Sequence, residues 1–200
     1  MSPSTGKATW TAVDTPLRGG ALCLDFANTV DRDADDEPWH PELTDVLTSR
    51  ESLGIWAERM GIAVPRRPSA GELREARRLR DAIYHVFSAI ARGHPPTRED
   101  LETVRRTYAS AARAGALEAG DDGWGWAWPS TQTRAARFAV AADAVALLAH
   151  PDRLARVRRC PGAHCGWLFV NASGRRRWCA MSACGSREKS RRAYRRRAAC

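Results

Sequence analysis

Four cysteines near the C-terminal end have the spacing of a metal site. Four residues separate Cys160 from Cys165, four separate Cys179 from Cys184, and thirteen lie between the two pairs. Two short-spaced pairs are typical of a closed, tetrahedral zinc site, because one turn of backbone can aim both thiolates of a pair at one ion. The spacing predicts a single structural Zn²⁺ held by four thiolates, with no open position for a reacting water.

The other cysteines and one histidine are predicted to have different roles. His164 lies inside the first pair and is the one substitute ligand, but we expect it to be a neighbour of the site because four thiols already complete it. Cys23 lies in an apolar run and is predicted to be a buried thiol, and Cys200 has no evident partner. An iron–sulfur cluster is the alternative occupant, and the polar, arginine-rich surroundings disfavour it.

Positive charge is concentrated in the same part of the chain. Residues 153–200 hold 14 Lys and Arg residues against one acidic residue, whereas residues 1–152 hold 18 against 22. Like charges in such a block repel one another, so the block predicts a polyanionic partner, with a solvated tail as the alternative. The candidate nucleic-acid-binding residues are Arg175, Arg176, Arg177, Arg187, Lys189, Arg191, Arg192, Arg195 and Arg196. Arginine forks fit phosphate oxygens and guanine edges, so contact with phosphate alone and sequence reading both stay open.

The residues between and after the cysteines indicate the elements that position them. Residues 167–170 and 175–178 are predicted to pair as a β-hairpin with a turn between them. Cys184 then opens a strongly basic helix, whose first turn supplies the last ligand. This arrangement predicts a treble-clef-like, four-cysteine zinc finger over residues 153–200, a module so small that its fold depends on the metal.

Upstream, residues 15–152 are predicted to form a multi-helical domain with one β-hairpin, so the fold class is mainly α with small β. Apolar residues recur there at three- and four-residue spacing, and Ser or Thr precedes several of these stripes as a cap. Helices are predicted over 49–60, 70–92, 97–114 and 131–149. The LCLDFANTV segment, residues 22–30, fits a helix or a strand, and a helix is favoured. Trp alternates with small residues near the end of 116–128, which predicts a hairpin with one aromatic face that covers the helices.

A cluster of polar residues lies in and just after the LCLDFANTV segment. Its members are Asp25, Asn28, Thr29 and Arg32. They are the candidate site for a small-molecule effector, in which Arg32 would favour an anion and the other side chains would orient it through hydrogen bonds. The alternative, which we favour, is that these groups cap helices and satisfy one another within the core.

The finger closely resembles the CGNR zinc-finger family. The resemblance rests on C-x4-C, on LFVNASGRRRWCAMSACGSR and on the trailing KSRRAYRRR. The upstream LCLDFANTV, SLGIWAERMGI and LREARRLRDAIYHVFSA segments resemble the ABATE domain that usually precedes this finger. The resemblance implies that the four cysteines bind zinc and that the protein is a bacterial, stress-linked transcription regulator. Ser186 stands where the family has Asn, and Asn171 and Gly174 replace an acidic residue and an Arg, so affinity or specificity can differ at these positions.

The leading hypothesis is a zinc-dependent DNA-binding regulator. The helical domain would be a sensor or would form a homodimer, since a finger of about forty residues reads only a few base pairs alone. An RNA- or ribosome-associated module is the alternative, because arginine-rich elements also bind folded RNA and Trp167 or Tyr194 can stack on bases.

We expect the chain not to be an enzyme. Its histidines, His40, His85, His94 and His150, are scattered, and no glycine-rich phosphate loop is evident. There is no run of about 18 apolar residues and no charged-then-apolar leader. We therefore expect a cytoplasmic protein of the bacterial cytosol or nucleoid, without a membrane partner.

Overall fold

The computed structural model describes residues 10–32, 45–120, 123–129, 131–162 and 165–198. Of the residues singled out above, His40, His164 and Cys200 lie outside this described part. Within it, no helix is both long and apolar enough to cross a membrane.

Helices occupy most of the described chain, and the strands are short. The helices are α1 (Leu22–Ala27), α2 (Arg50–Arg59), α3 (Ala70–Ala91), α4 (Arg98–Ala114), α5 (Ala135–Leu148), α6 (Pro151–Leu154) and α7 (Ser186–Ala198). The strands are β1 (Ala116–Gly120), β2 (Gly123–Ala127), β3 (Val157–Arg159) and β4 (Leu168–Val170). A π-helical turn, Met181–Gly185, leads directly into α7. The mainly α fold with small β is confirmed.

Side-chain caps determine where the long helices begin. Ser49 accepts a hydrogen bond from the Ser52 N–H at 3.2 Å, and the Ser52 hydroxyl accepts one from the Ser49 N–H at 3.0 Å. Ser69 caps α3 and Thr97 caps α4 in the same way, each through the N–H three residues later. Such caps satisfy donors that the first helical turn leaves without partners. Accordingly, α2, α3 and α4 match their predicted bounds to within one residue at each end.

The apolar stripe of α3 forms the centre of the core. Leu79, Ile83 and Phe87 are buried, and α3 packs against α1, α2, α4 and α5. The Phe26 ring of α1 lies 4.8 Å from the Trp56 ring of α2 between centroids. The helix favoured for the LCLDFANTV segment is confirmed as α1, which buries its apolar residues in this core.

Helix α5 begins four residues later than predicted. The segment before it is a turn in which the Gln132 N–H donates to the Pro129 carbonyl at 2.8 Å and the Ala135 N–H donates to the Gln132 carbonyl at 3.1 Å. Because Pro129 fixes its own backbone and the turn groups bond locally, the helical ladder starts only at Ala135. The predicted stretch 131–134 is therefore non-helical.

The predicted hairpin is confirmed as β1 and β2, but only its base packs on the helices. Trp128 donates from Nε1 to the Ala111 carbonyl at 2.9 Å, and Trp126 meets Tyr108 edge-on with 6.5 Å between ring centroids. Trp124, nearer the tip, is 77% exposed. The expectation that the hairpin covers the helices is wrong for its outer half, because Trp124 lies in solvent and only Trp126 and Trp128 contact α4.

The hairpin predicted between the cysteine pairs is wrong. Leu168–Val170 pairs with β3, which precedes Cys160, in an antiparallel register that joins Val157 to Val170. Residues 175–178 form no strand. The other edge of β4 is occupied instead by Asn28 and Gly19, so a returning strand has no free edge to join.

A buried ion pair joins the start of α3 to α5. Arg137 donates from Nε and Nη2 to the two carboxylate oxygens of Glu72 at 2.8 and 2.9 Å. The two side chains are only 12% and 6% exposed. Removing one partner of such a pair leaves a buried charge uncompensated, which costs about 3–5 kcal/mol.

We expect Glu72→Ala to lower the free energy of unfolding by at least about 3 kcal/mol in urea denaturation, because Arg137 would stay buried without its partner. Glu75→Ala removes a carboxylate from the exposed side of the same helix. This control should change stability by less than about 0.5 kcal/mol. Equal losses in the two variants would contradict the importance of the buried pair.

Candidate metal centre and nucleic-acid interface

The fold brings the four predicted zinc ligands together. Cys160 follows β3, Cys165 precedes β4, Cys179 ends the loop after β4, and Cys184 lies in the π turn before α7. All four are buried, and their sulfur atoms lie within 4.8 Å of one another. The Cys165 and Cys179 sulfurs are 3.5 Å apart, and those of Cys179 and Cys184 are 3.6 Å apart.

These sulfur separations fit one tetrahedral zinc ion. Zn–S bonds of about 2.3 Å place sulfurs roughly 3.8 Å apart, whereas a disulfide bond needs about 2.05 Å. Because the thiols are packed together, they also shift one another's pKa values. Hydrogen bonding with Cys165 lowers the pKa of Cys160, and the same contact raises the pKa of Cys165. Holding all four as thiolates in a buried cluster therefore requires a cation.

Two glycines allow the ligand-bearing turns to approach closely. A Cβ atom at Gly162 would lie 3.0 Å from both Cβ and Sγ of Cys184. A Cβ at Gly185 would overlap the Met181 sulfur and lie 3.2 Å from the Trp178 ring. A larger residue at Gly162 would push its loop away from Cys184 by a few tenths of an ångström, whereas at Gly185 the exposed Met181 side chain can move aside.

Alternate side chains of the β4 segment pack into two different apolar clusters. Leu168 and Val170 pack into the helical core, whereas Trp167 and Phe169 pack against the cysteines. Successive side chains of a strand point to opposite faces, so one short strand contributes to both clusters. Val157 of β3 also belongs to the helical core. The core therefore continues beyond residue 152, into the segment that carries the metal site.

Asn28 binds β4 as a neighbouring strand would. Its Nδ2 donates to the Leu168 carbonyl at 2.9 Å, and its Oδ1 accepts from the Leu168 N–H at 2.9 Å. Next to it, the Val170 N–H donates to the Gly19 carbonyl at 2.8 Å. The sequence placed Asn28 in a candidate effector site, whereas the structure shows its amide both donating and accepting in the attachment of β4 to the end of α1.

Two further contacts join the helical part to the cysteine-bearing segment. Trp167 donates from Nε1 to the buried carboxylate of Asp31 at 2.6 Å. The Tyr84 hydroxyl donates to the Gly166 carbonyl at 3.1 Å. Gly166 has a φ of +62°, and a Cβ there would lie 2.8 Å from the Tyr84 oxygen. Sequence reasoning missed Asp31 and Tyr84, because nothing in their local pattern indicates a partner more than eighty residues away.

The remaining members of the predicted effector cluster have internal partners. Asp25 accepts from the Gly19 N–H at 2.7 Å, and burial raises the pKa of its carboxyl group. The Thr29 hydroxyl donates to the Phe26 carbonyl at 2.7 Å. The Arg32 guanidinium pairs with Asp81 and lies over the Tyr84 ring. These contacts favour the alternative of capping and satisfied core polarity.

The loop arginines divide into one internal and two surface residues. Arg176 donates to the carbonyls of Arg18 at 2.7 Å, Trp178 at 3.2 Å and Cys179, and it lies over the Phe169 ring. Burial lowers the pKa of its guanidinium. The structure thus gives Arg176 contacts within the fold, and its predicted nucleic-acid contact stays a prediction. Arg175 and Arg177 are exposed.

The basic residues of α7 are exposed on every side of the helix. Six of them are the predicted nucleic-acid contacts Arg187, Lys189, Arg191, Arg192, Arg195 and Arg196. Glu188, the one acidic residue of the helix, forms ion pairs with Arg191 and Arg192. The π turn is the only element with which α7 makes an extensive contact within the described chain. The helix therefore presents a nearly unbroken cationic surface.

Family models match both parts of the chain. The ABATE model, described as "Putative stress-induced transcription regulator", matches residues 20–151. The chain belongs to the ABATE family. The CGNR zinc-finger model matches residues 156–197, and in this ABATE protein those residues contain all four clustered cysteines. Among curated proteins, none matches the chain.

The family and the geometry together support one structural zinc ion bound by the four cysteines of this ABATE protein. Ser186 stands where the finger family has Asn, and its hydroxyl donates to the Met181 carbonyl at 3.0 Å. It thus closes the π turn from within.

We expect Cys179→Ser to lose the zinc that the wild-type protein holds at one ion per chain, as measured by atomic emission. Because β4 contributes to both clusters, loss of metal should also lower the thermal midpoint of the helical circular-dichroism signal by roughly 10 °C or more. Cys23→Ala is the control, since it removes a buried thiol away from the cluster and should keep one zinc per chain. An unchanged helical midpoint after chelation would contradict the coupling.

We expect Asn28→Ala to lower the free energy of unfolding by about 2–4 kcal/mol, because it leaves the buried N–H and C=O of Leu168 unsatisfied. Thr29→Val is the control and should cost less than about 1.5 kcal/mol, since it removes one local hydrogen bond. Chemical denaturation measures both. Unchanged stability of Asn28→Ala would contradict the attachment role and favour the effector hypothesis.

Proposed function

We propose that this ABATE protein is a zinc-dependent DNA-binding transcription regulator in which α7 is the DNA-contacting element. The single observation that carries the proposal is the environment of α7. A helix of 13 residues that holds seven basic side chains lies almost entirely in solvent. An isolated helix of this length is marginal in water, and its like charges repel one another. A polyanion would remove that repulsion.

The distribution of charge around α7 suits a groove with phosphates on both walls. Arg187, Arg191 and Tyr194 follow i, i+4, i+7 spacing and share one side of the helix. Lys189, Arg192 and Arg196 share the other side at i, i+3, i+7. The major groove of B-DNA is about 12 Å wide and admits one α-helix, whose two flanks then face opposite backbones. Arg175 and Arg177 would add contacts from the loop before the π turn.

The metal cluster would position this helix. Cys184 lies in the π turn that continues into α7, so zinc ligation holds the first turn of the helix. The helical part would serve as the base on which the cluster rests. We propose a binding role without catalysis, since four thiolates fill the coordination of the zinc.

RNA binding is the second candidate, and the exposure of Tyr194 favours it. The Tyr194 side chain is 74% exposed beside Arg187 and Arg191. An exposed aromatic ring among arginines can stack on an unpaired base, which duplex DNA does not offer. Competition between duplex DNA and a structured RNA of equal length separates the two candidates.

We expect steeply salt-dependent binding of duplex DNA, measured by fluorescence anisotropy between 50 and 200 mM salt. With about five phosphates contacted, the slope of log K against log salt should be roughly −4 to −5. Arg195→Ala with Arg196→Ala should reduce the magnitude of that slope by about 2 and weaken binding uniformly across sequences.

The matched control is Arg105→Ala with Arg106→Ala. These arginines lie on the exposed side of α4, and both pair with Glu102. The control removes the same net charge far from α7 in sequence, so a local interface predicts an unchanged slope. If the zinc-loaded protein has no affinity for duplex DNA at low salt, the DNA-binding proposal is wrong.

A further inference from the structure

The β1–β2 hairpin carries three of the exposed large apolar side chains of the described chain. Leu117 is 59% exposed, Trp124 77% and Trp126 36%. An isolated two-stranded hairpin is at best marginally stable in water, and contiguous exposed apolar groups mark interaction surfaces.

The outer edge of β2 is open to another strand. Gly120 is the register partner of Gly123 at the inner end of the hairpin. In hairpins whose last paired residues are separated by two positions, that pair ordinarily exchanges both ladder hydrogen bonds. Hydrogen-bonded and non-hydrogen-bonded pairs alternate along an antiparallel ladder. The backbone N–H and C=O groups of Trp124 and Trp126 therefore point away from β1. Among the described residues, no other group hydrogen-bonds to them. An edge of this kind is a template for strand pairing.

The β2 sequence is self-complementary when two copies run antiparallel. Its residues are Gly-Trp-Gly-Trp-Ala, centred on Gly125. We infer that β2 pairs with β2 of a second copy of this chain about a two-fold axis at Gly125. Trp124 then lies opposite Trp126 of the partner subunit, and each such pair exchanges both backbone hydrogen bonds. Cross-strand aromatic pairs are among the stabilising contacts of antiparallel sheets.

Gly125 has no evident role within the single chain. A Cβ atom added there would meet nothing within 4 Å, and its backbone is outside the left-handed region. Glycine weakens the interior of a strand, and it often marks a place where another backbone approaches closely. On the two-fold axis, Gly125 forms a non-hydrogen-bonded pair with its own copy, in which Cα atoms lie about 4.5 Å apart.

The charge distribution favours a second copy of the chain over nucleic acid as the partner. It also favours β2 over β1 as the strand that pairs. Residues 123–127 include no charged side chain, so this surface does not attract phosphate. The middle of β1 is Glu118, and pairing two copies of β1 there would place like charges opposite each other. The tryptophans, Leu117 and the paired backbones of two copies amount to roughly 1,000 Å² in total, near the lower limit for a specific interface. The dimer is therefore reversible, and the inference is independent of DNA binding.

Sedimentation equilibrium without nucleic acid tests this pairing between about 1 and 100 µM, the range suited to a small interface. The 22.1-kDa chain should approach twice its mass as concentration rises. Trp124→Lys should weaken self-association at least tenfold with an unchanged thermal midpoint, because that side chain is already exposed. Tyr194→Lys makes the same change at an equally exposed aromatic residue on α7 and should dimerise like the wild type. A wild-type chain that stays monomeric at the highest concentration, or a Trp124→Lys variant that dimerises normally, would overturn the inference.

Crosslinking tests the register independently. In a Cys200→Ser background, Gly125→Cys should form an intermolecular disulfide under mild oxidation, since the Cα spacing at the axis suits one. Ala119→Cys places a thiol on β1. In the proposed dimer the two β1 strands are three strand spacings apart, so this variant should not crosslink. Equal crosslinking of the two variants, or none in Gly125→Cys, would contradict pairing about Gly125.

Discussion

The amide of Asn28 takes the place of a β-strand, and the position of the metal cluster depends on it. Leu168 needs one donor and one acceptor on the side facing away from β3, and Asn28 supplies both. Buried backbone groups without partners are costly, so this edge of β4 has to be satisfied. Because a side chain satisfies this edge, no returning strand is needed there. The residues after β4 therefore form the loop that contains Arg176 and ends at Cys179.

The same strand makes the metal cluster and the helical core mutually dependent. Leu168 and Phe169 are neighbours in sequence, yet one packs among helices and the other among cysteines. A free-standing finger has too small a core to fold without its metal. Here part of its apolar surface is buried against α1 and α3. In this protein the metal cluster therefore rests on the helical part through β3 and β4.

The arginines beside the metal cluster and those on the surface of α7 have different surroundings. Beside the cysteines, Arg176 donates hydrogen bonds to the backbone carbonyls of Trp178 and Cys179 and packs on Phe169. Outside, α7 has no apolar face to bury, and Glu188 offsets only two of its basic side chains. Arg176 and Arg177 are adjacent in the sequence, yet Arg176 is half-buried with contacts inside the fold and Arg177 is exposed.

The features that could be predicted from the sequence are those that local interactions fix. Caps such as Ser49 and Thr97 and the apolar stripe of α3 act within a few residues, so the helices could be predicted closely. The cysteine spacing likewise specified the four clustered residues, because each pair is brought together by one turn of backbone. The strand partner of β4, the contacts of Arg176 within the fold and the attachment of β4 by Asn28 became evident only in the folded chain. The contacts of Asn28 with Leu168 and of Arg176 with Arg18 join residues more than a hundred positions apart, and the first of them occupies the edge of β4 that a returning strand would need. Local periodicity carries no information about which distant edge or carbonyl a side chain will meet.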